Sequence, residues 1–205
     1  TFEQKKEMPL EQVEGQGYIH YRKGSLVMYA LQDYIGEDSV NAALKRFVTD
    51  WGFKDAPYPT SADLISYYRE VTPDSLQYII DDMFLTITLF ENKTTNAEYE
   101  MLADSTYEIT LAIDVIKYQA DSLGNESTVA LGDWIDVGVF AEDDEGEEKL
   151  IYLKKHQITQ QESTLKVRVD EMPFKAGIDP INKLIDRNPE DNLKEVAEKE
   201  ETTNT

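Results

Sequence analysis

The sequence predicts an α+β protein in which an N-terminal helical unit is followed by an antiparallel immunoglobulin-like β-sandwich. In the first part of the chain, apolar residues recur every three or four positions, as on one face of an amphipathic helix. Between Met83 and Glu91 this spacing changes to alternation, which is typical of a half-buried strand. We therefore divide the chain into a helical unit at 1–86, a β-sandwich domain at 87–175 and a C-terminal segment at 176–205.

The helical unit is predicted to contain several short amphipathic helices that pack on one another. Gly36 and Gly52 follow two of the apolar patterns, where a helix can end, and Pro73 stands where a helix can begin. Helices of this length are marginally stable alone and need a packed apolar face. The expected helices lie at 25–35, 38–51, 61–68 and 73–84.

The sandwich is predicted from alternating apolar residues separated by turn signals. The acidic stretch 142–148 contains Gly146 and is too charged to bury, so we expect a solvated hairpin tip there. Short connections favour antiparallel pairing among about five strands. The clearest strand patterns lie at 107–115, 135–139, 150–155 and 165–169.

The C-terminal segment divides into two parts. The stretch 176–192 carries an apolar set around Ile181 that could dock on the sandwich. The stretch 193–205 is charged and rich in threonine, and we expect it to be disordered.

Composition excludes several classes of function. The chain has 205 residues and a formal net charge of −21, which disfavours binding to nucleic acid and to anionic membrane surfaces. It has no cysteine, and therefore neither disulfides nor thiolate metal sites. It also lacks an apolar run of about 18 residues, the length needed for a transmembrane helix.

One motif carries a family resemblance. The run Tyr21-Arg22-Lys23-Gly24 is followed by an apolar helix, then by Gly36-Glu37 and a second helix. This arrangement resembles the C-terminal half of the catalytic domain in aminopeptidase N-like zinc metallopeptidases, peptidase family M-one. Those proteins also often carry a small β domain after the catalytic one.

The resemblance implies a role for Tyr21. In that family, a tyrosine in a Tyr-x-Lys-Gly segment donates a hydrogen bond to the oxyanion of the tetrahedral intermediate, so Tyr21 is the candidate catalytic residue. A phenol, with an ordinary pKa of about 10, is a neutral donor at neutral pH. Arg22 departs from the family pattern, because an acidic residue commonly stands at that position.

The chain alone does not contain the motif of a zinc peptidase. Such a site needs two histidines four residues apart, a glutamate base and a further ligand. The only histidines, His20 and His156, fall in different predicted domains and neither begins an HExxH motif. We therefore expect no cofactor in this chain and zinc in the parent protein. The expected partners are the upstream catalytic half of the same protein and, in the parent, a peptide substrate; the chain alone would be inactive.

The C-terminal segment adds a second, shorter resemblance. Its Gly-Ile-Asp-Pro run at 177–180 and Asp-Arg-Asn run at 186–188 are similar to tails of bacterial proteins that fuse ABC-transporter-type permease segments to such a peptidase domain. This implies a soluble extracytoplasmic part of a bacterial membrane protein, without direct membrane contact of its own.

Other functions have weaker support in the sequence. The sandwich could be a non-catalytic binding or interaction module that the helices merely support. The acidic tip at 142–148 lacks the spacing of an EF-hand loop. Two triplets, beginning at Asn92 and Asn125, match glycosylation sequons but are frequent by chance. No nucleophile elbow or phosphate-binding glycine loop is present.

Overall fold

The computed structural model describes residues 6–13 and 15–199 and confirms the mixed α+β composition. The chain forms two compact units. A helical unit comprises the residues up to Thr88 together with Gln119–Ser127. A β unit comprises Leu89–Tyr118 and the residues from Thr128 onward.

The helices of the helical unit follow the predicted order. Gly36 ends the first of them with a positive φ of 88°, a conformation that suits glycine. Thr60 caps the third through a reciprocal pair of hydrogen bonds with Asp63. The described α-helices are α1 (Gly24–Ile35), α2 (Glu37–Trp51), α3 (Ser61–Val71) and α4 (Gln77–Ile80). Short 3₁₀ turns lie at Leu10–Gln12 and Asp74–Leu76, and π-helical turns at Tyr18–Lys23 and Asp81–Leu85.

The apolar faces of these helices meet in one core. Full burial of a large aliphatic or aromatic side chain stabilises a fold by about 1.5–3 kcal/mol, so this cluster compensates for the marginal stability of each helix. Its buried members are Val27, Ala30, Leu31, Val40, Ala43, Ile65, Tyr68, Ile79, Ile80, Met83 and Phe84.

The strands form two sheets that share a second core. The described strands are β1 (Ile87–Met101), β2 (Tyr107–Ala120), β3 (Glu126–Thr128), β4 (Asp133–Glu142), β5 (Glu148–Ile158), β6 (Glu162–Val169), β7 (Lys175–Ile178), β8 (Leu193–Glu195) and β9 (Ala197–Glu198). The larger sheet has the order β3-β2-β1-β9, with β6 also paired to β2, and the smaller has the order β5-β4-β7-β8. Antiparallel ladders join β2 to β6, β4 to β5, β4 to β7 and β7 to β8.

Both sheets supply side chains to this core, as the alternation predicts. In β2 the residues at 109, 111, 113 and 115 are all buried, while their neighbours are only partly covered. The main buried members are Phe90, Ala97, Ile109, Leu111, Ile113, Val115, Ile135, Val137, Val139, Ile158, Val167, Val169, Ala176 and Ile178.

The acidic stretch 142–148 forms the expected hairpin tip, with Glu142 opposite Glu148.

The sequence did not predict β1 as a strand. Asn92 and Thr94 occupy inward positions of β1 and are buried, as is Phe90. Polar residues at inward positions hide the alternation of apolar and polar residues on which strand prediction rests. The hydroxyl of Thr94 compensates for its burial by donating to the carbonyl of Asn192 at 2.6 Å.

The C-terminal segment is more deeply integrated than its sequence predicts. β7 lies inside the smaller sheet, between β4 and β8, and is not docked on a finished sandwich. The prediction of disorder from residue 193 is wrong for 193–199, because β8 pairs with β7 and β9 pairs in parallel with β1. Charged residues can form such strands because the ladder uses backbone groups. Residues 200–205, for which disorder was also predicted, lie outside the described part of the chain.

Gly177 in β7 should not tolerate a side chain. A Cβ built there would lie 1.9 Å from the carbonyl oxygen of Asn192 and 2.6 Å from Thr94 Oγ1. We expect Gly177→Ala to lower the free energy of unfolding by about 1–3 kcal/mol, because strands β7 and β8 must move apart to make room for the methyl group. Urea denaturation measures this, with Gly132→Ala as control since no atom lies within 4 Å of its Cβ position. Equal destabilisation by both variants would contradict the close packing at Gly177.

Candidate functional site

The segment that carries Tyr21 is part of a continuous helix. The π-helical turn Tyr18–Lys23 runs directly into α1, with helical backbone angles at Gly24. A π-helical turn is wider than an α-helical one, and such turns occur frequently at functional sites. The sequence pattern predicted the helix from residue 25 but not the widened turn before it.

The backbone around Tyr21 is held while its side chain is presented to solvent. Lys23 Nζ lies 3.4 Å from Glu7 Oε1, and the Ser25 hydroxyl donates to the carbonyl of Arg22 at 3.0 Å. The Tyr21 side chain is 75% exposed, and its ring centroid lies 4.4 Å from that of His20. Within the described residues, the Tyr21 hydroxyl forms no hydrogen bond.

A second tyrosine shares this exposed surface. Tyr29 lies eight residues after Tyr21, with Ser25 midway, and this spacing of four aligns all three along one side of the helix. Tyr29 is 55% exposed and Ser25 is also exposed. We call this surface, made of Tyr21, Ser25 and Tyr29, the Tyr21 face.

The two histidines lie in different units of the chain. His20 lies beside Tyr21 in the helical unit, whereas His156 lies in β5 of the β unit. His156 Nε2 is 2.9 Å from the Tyr152 hydroxyl, and burial together with the nearby Lys154 charge lowers the pKa of His156. Over residues 6–13 and 15–199, no group of three or more His, Cys, Asp and Glu side chains could hold a metal ion.

A cavity on the β unit is the candidate site for a binding module. It has a volume of about 500 Å³ and is lined by residues of β1, β2 and β6. Asp114 and Glu162 stand directly opposite each other in the β2–β6 ladder and both line the cavity. Asp114 Oδ1 is buried and has no hydrogen-bond partner recorded. Like charges opposite each other destabilise a strand pair, so a cationic group would be favoured here.

A buried cluster of charges in the β unit was not identified from the sequence. Asp136 of β4 bonds to Lys183 at 2.8 Å and to Lys155 at 3.1 Å, and Asp179 is buried nearby. Burial raises the pKa of Asp179 to about 6. The signals were Asp136, which interrupts the apolar run 134–141, and the spacing of four between Asp179 and Lys183.

A second buried ion pair lies in the same unit. Lys117 Nζ is 2.8 Å from Asp133 Oδ1, and the ring centroid of Phe90 lies 5.6 Å from that nitrogen. Both charged side chains are almost fully buried. Buried charges of this kind cost desolvation energy and are tolerated only when paired.

Among the described residues, no helix is long and apolar enough to cross a membrane. We compared the sequence with protein-family models and with curated proteins, and neither comparison found a match.

Proposed function

We propose that this chain is the C-terminal part of a zinc aminopeptidase-like protein, in which Tyr21 donates a hydrogen bond to the oxyanion formed on the scissile carbonyl. The observation that carries this proposal is the exposure of Tyr21 on a widened helical turn, at the tyrosine position of a Tyr-x-Lys-Gly segment. A preorganised donor aimed at developing negative charge is among the largest contributions to catalysis.

The Tyr21 face supports this proposal because its aromatic residues are not used by the core of the helical unit. Leu31 and Ala30 of α1 are fully buried, whereas Tyr21 and Tyr29 project away from them. An exposed aromatic ring is consistent with a surface that another part of the protein covers. In the proposed parent, that part is the upstream catalytic half.

The remaining components would come from sequence outside this chain. Zinc, its ligands and the general base belong to the upstream half, and a peptide with a free N-terminus is the substrate. The chain alone would be inactive. The cellular setting we propose is the extracytoplasmic side of a bacterial membrane protein, with no direct membrane contact by this chain.

For the β unit we propose an immunoglobulin-like sandwich without a catalytic role. Two sheets with antiparallel ladders and a shared core support this assignment. The parallel pairing of β9 with β1 is an addition to such a sandwich.

The proposal is tested by expressing this chain and the longer reading frame that includes it. We expect bound zinc and release of N-terminal residues from peptides only from the longer protein, measured by metal analysis and amino-acid detection. Robust activity of the chain alone would contradict the proposal. A longer protein without zinc or peptidase activity would also contradict it.

A second candidate function is a non-catalytic binding module, favoured by the cavity between Asp114 and Glu162. Its ligand would carry a cationic group. Titration with a lysine-rich peptide would give saturable binding that Asp114→Asn weakens and that Glu145→Gln, in the acidic hairpin tip, leaves unchanged. Equal weakening by both variants would indicate nonspecific attraction to an acidic protein.

A further inference from the structure

A lysine and an aspartate are in close contact inside the β unit. Lys183 Nζ lies 2.8 Å from Asp136 Oδ2, and the two side chains are only 3% and 5% exposed. Lys155 approaches the same carboxylate at 3.1 Å, but its side chain is 24% exposed. Burial disfavours two charges, and transfer of one proton from the ammonium to the carboxylate removes both at once.

The pair is covered by the segment that carries Lys183. Asp136 lies in β4 on the face opposite the shared core, between the core residues Ile135 and Val137. A Cβ added to Gly138, on that same face, would lie 2.6 Å from Pro180 Cγ. The turn from residue 179 to residue 184 therefore packs directly on β4 and shields the pair from water.

A third carboxyl group adjoins the pair. Asp179 is buried, and its carboxylate accepts the backbone N–H groups of Lys183 and Leu184 at 2.9 and 3.1 Å. Its own N–H donates to the carbonyl of Asp136 at 2.7 Å. Burial raises the pKa of Asp179 to about 6, and the charges of Asp186 and Asp136 add to this effect. Asp179 is therefore an acid that can hold and release a proton near neutral pH.

We propose that Lys183 and Asp136 condense to form an intramolecular isopeptide bond between their side chains. The two reacting groups are held in contact by the fold, which corresponds to an effective concentration of order 10⁵–10⁸ M for well-oriented groups. The surrounding protein also excludes the water that would hydrate the charged reactants and reverse the reaction. The bond involves only the β unit and is independent of the proposed peptidase function.

The reaction balances without any oxidant or co-reactant. The neutral amine of Lys183 attacks Asp136 Cγ, a C–N bond forms, and one Cγ–O bond breaks as the oxygen leaves as water. Two protons leave the Lys183 ammonium group in all and end on that oxygen; Asp179, buried in the turn that carries Lys183, is the group we assign to relay them, and it ends in its starting state. In total, an ammonium group and a carboxylate give an amide and one water molecule.

The chain contains a matched pair that serves as a control. Lys117 Nζ and Asp133 Oδ1 are also 2.8 Å apart, with side chains 7% and 5% exposed. Their surroundings differ, since Asp133 accepts the backbone N–H of Gly132 and the Phe90 ring lies near Lys117. The pair of Lys183 and Asp136 differs because the acid Asp179 lies in the turn that carries Lys183. We therefore expect only this pair to form a bond.

The test is the mass of the intact protein under denaturing conditions. The wild-type chain should be lighter than its sequence mass by one water molecule, and peptide mapping should find a branched product that joins Lys183 to Asp136. Lys183→Arg keeps the positive charge but replaces the amine by a guanidinium that stays protonated, so it should have its full sequence mass. Lys117→Arg should still lose one water molecule.

The part played by Asp179 is tested by following a newly synthesised chain over time. Water loss should be fast below the Asp179 pKa of about 6 and slower above it. In Asp179→Asn, shown to be folded by circular dichroism, water loss should be slow at every pH. A folded wild-type protein that retains its full sequence mass would overturn the proposal, as would a bond mapped to Lys155 or Lys117. Equal rates below and above the pKa would overturn the role of Asp179.

Discussion

Replacing Tyr21 by phenylalanine in the proposed zinc-containing parent protein should lower kcat by about 10²–10³-fold, the usual effect of removing one oxyanion donor. KM should change little, because the hydrogen bond strengthens only as negative charge develops on the oxygen. The change removes one hydroxyl from a side chain that is 75% exposed, so the helical unit should keep its stability. Steady-state kinetics with an aminoacyl reporter substrate measures both constants.

Tyr29→Phe is the matched control for this experiment. It removes the same hydroxyl from the same Tyr21 face, two helical turns away, from a side chain that is also exposed. We expect kcat within about twofold of the wild type, because the ring is kept and only the Tyr21 hydroxyl is proposed to reach the oxyanion. A Tyr21→Phe enzyme with wild-type kcat, or equal losses in both variants, would remove Tyr21 from the mechanism.

Asp179→Asn should abolish one large pH dependence of stability in the β unit. The pKa of Asp179 is raised from 3.8 to about 6 in the folded protein, chiefly by burial. The folded state therefore binds the proton more tightly than the unfolded state. The resulting stabilisation is fully present below pH 3.8 and is lost as the pH rises through about 6. The loss amounts to about 3 kcal/mol, at roughly 1.4 kcal/mol per pKa unit.

The measurement is urea denaturation across this pH range of both proteins, each made with Lys183→Arg so that neither can form the proposed bond to Asp136. The free energy of unfolding of the wild type, minus that of Asp179→Asn, should fall by about 3 kcal/mol from the acidic to the neutral end. Subtracting the variant cancels the groups that titrate alike in both proteins. Asp121→Asn is the control, because hydrogen bonds lower the pKa of that exposed turn residue. The free energy of unfolding of the wild type, minus that of Asp121→Asn, should therefore rise with pH. A constant difference for Asp179→Asn would show that Asp179 does not titrate in this way.

Periodic apolar patterns predicted the four α-helices and the strands β2, β4, β5 and β6, because burial on one face imposes the period. The prediction failed where inward positions are polar, as at Asn92 and Thr94 of β1. It failed again at Leu193–Glu195 and Ala197–Glu198, where pairing depends on backbone groups and the side chains are mostly charged. Such strands depend on the rest of the sheet and cannot be identified from their own residues.

The candidate site shows a similar limit. Tyr21 could be selected from its motif, yet neither its exposure nor the π-helical turn is encoded in a local pattern. The cluster of Asp136, Asp179 and Lys183 joins residues up to 47 positions apart. Asp136 stands out within an apolar strand, but a single sequence does not reveal which distant residue its carboxylate meets.

The pairing of the C-terminal strands has a consequence for synthesis on the ribosome. The helical core is formed by residues that precede Thr86 and can close early, whereas β9 at Ala197–Glu198 pairs with Glu98–Tyr99 of β1. The smaller sheet is completed by β8 at Leu193–Glu195 and the larger sheet by β9, so both remain incomplete until the chain beyond residue 192 has emerged. Pairing between such distant residues is slow. During translation the apolar strands β2 and β4 would remain uncovered, which makes the nascent β unit a substrate for chaperones that bind exposed hydrophobic segments.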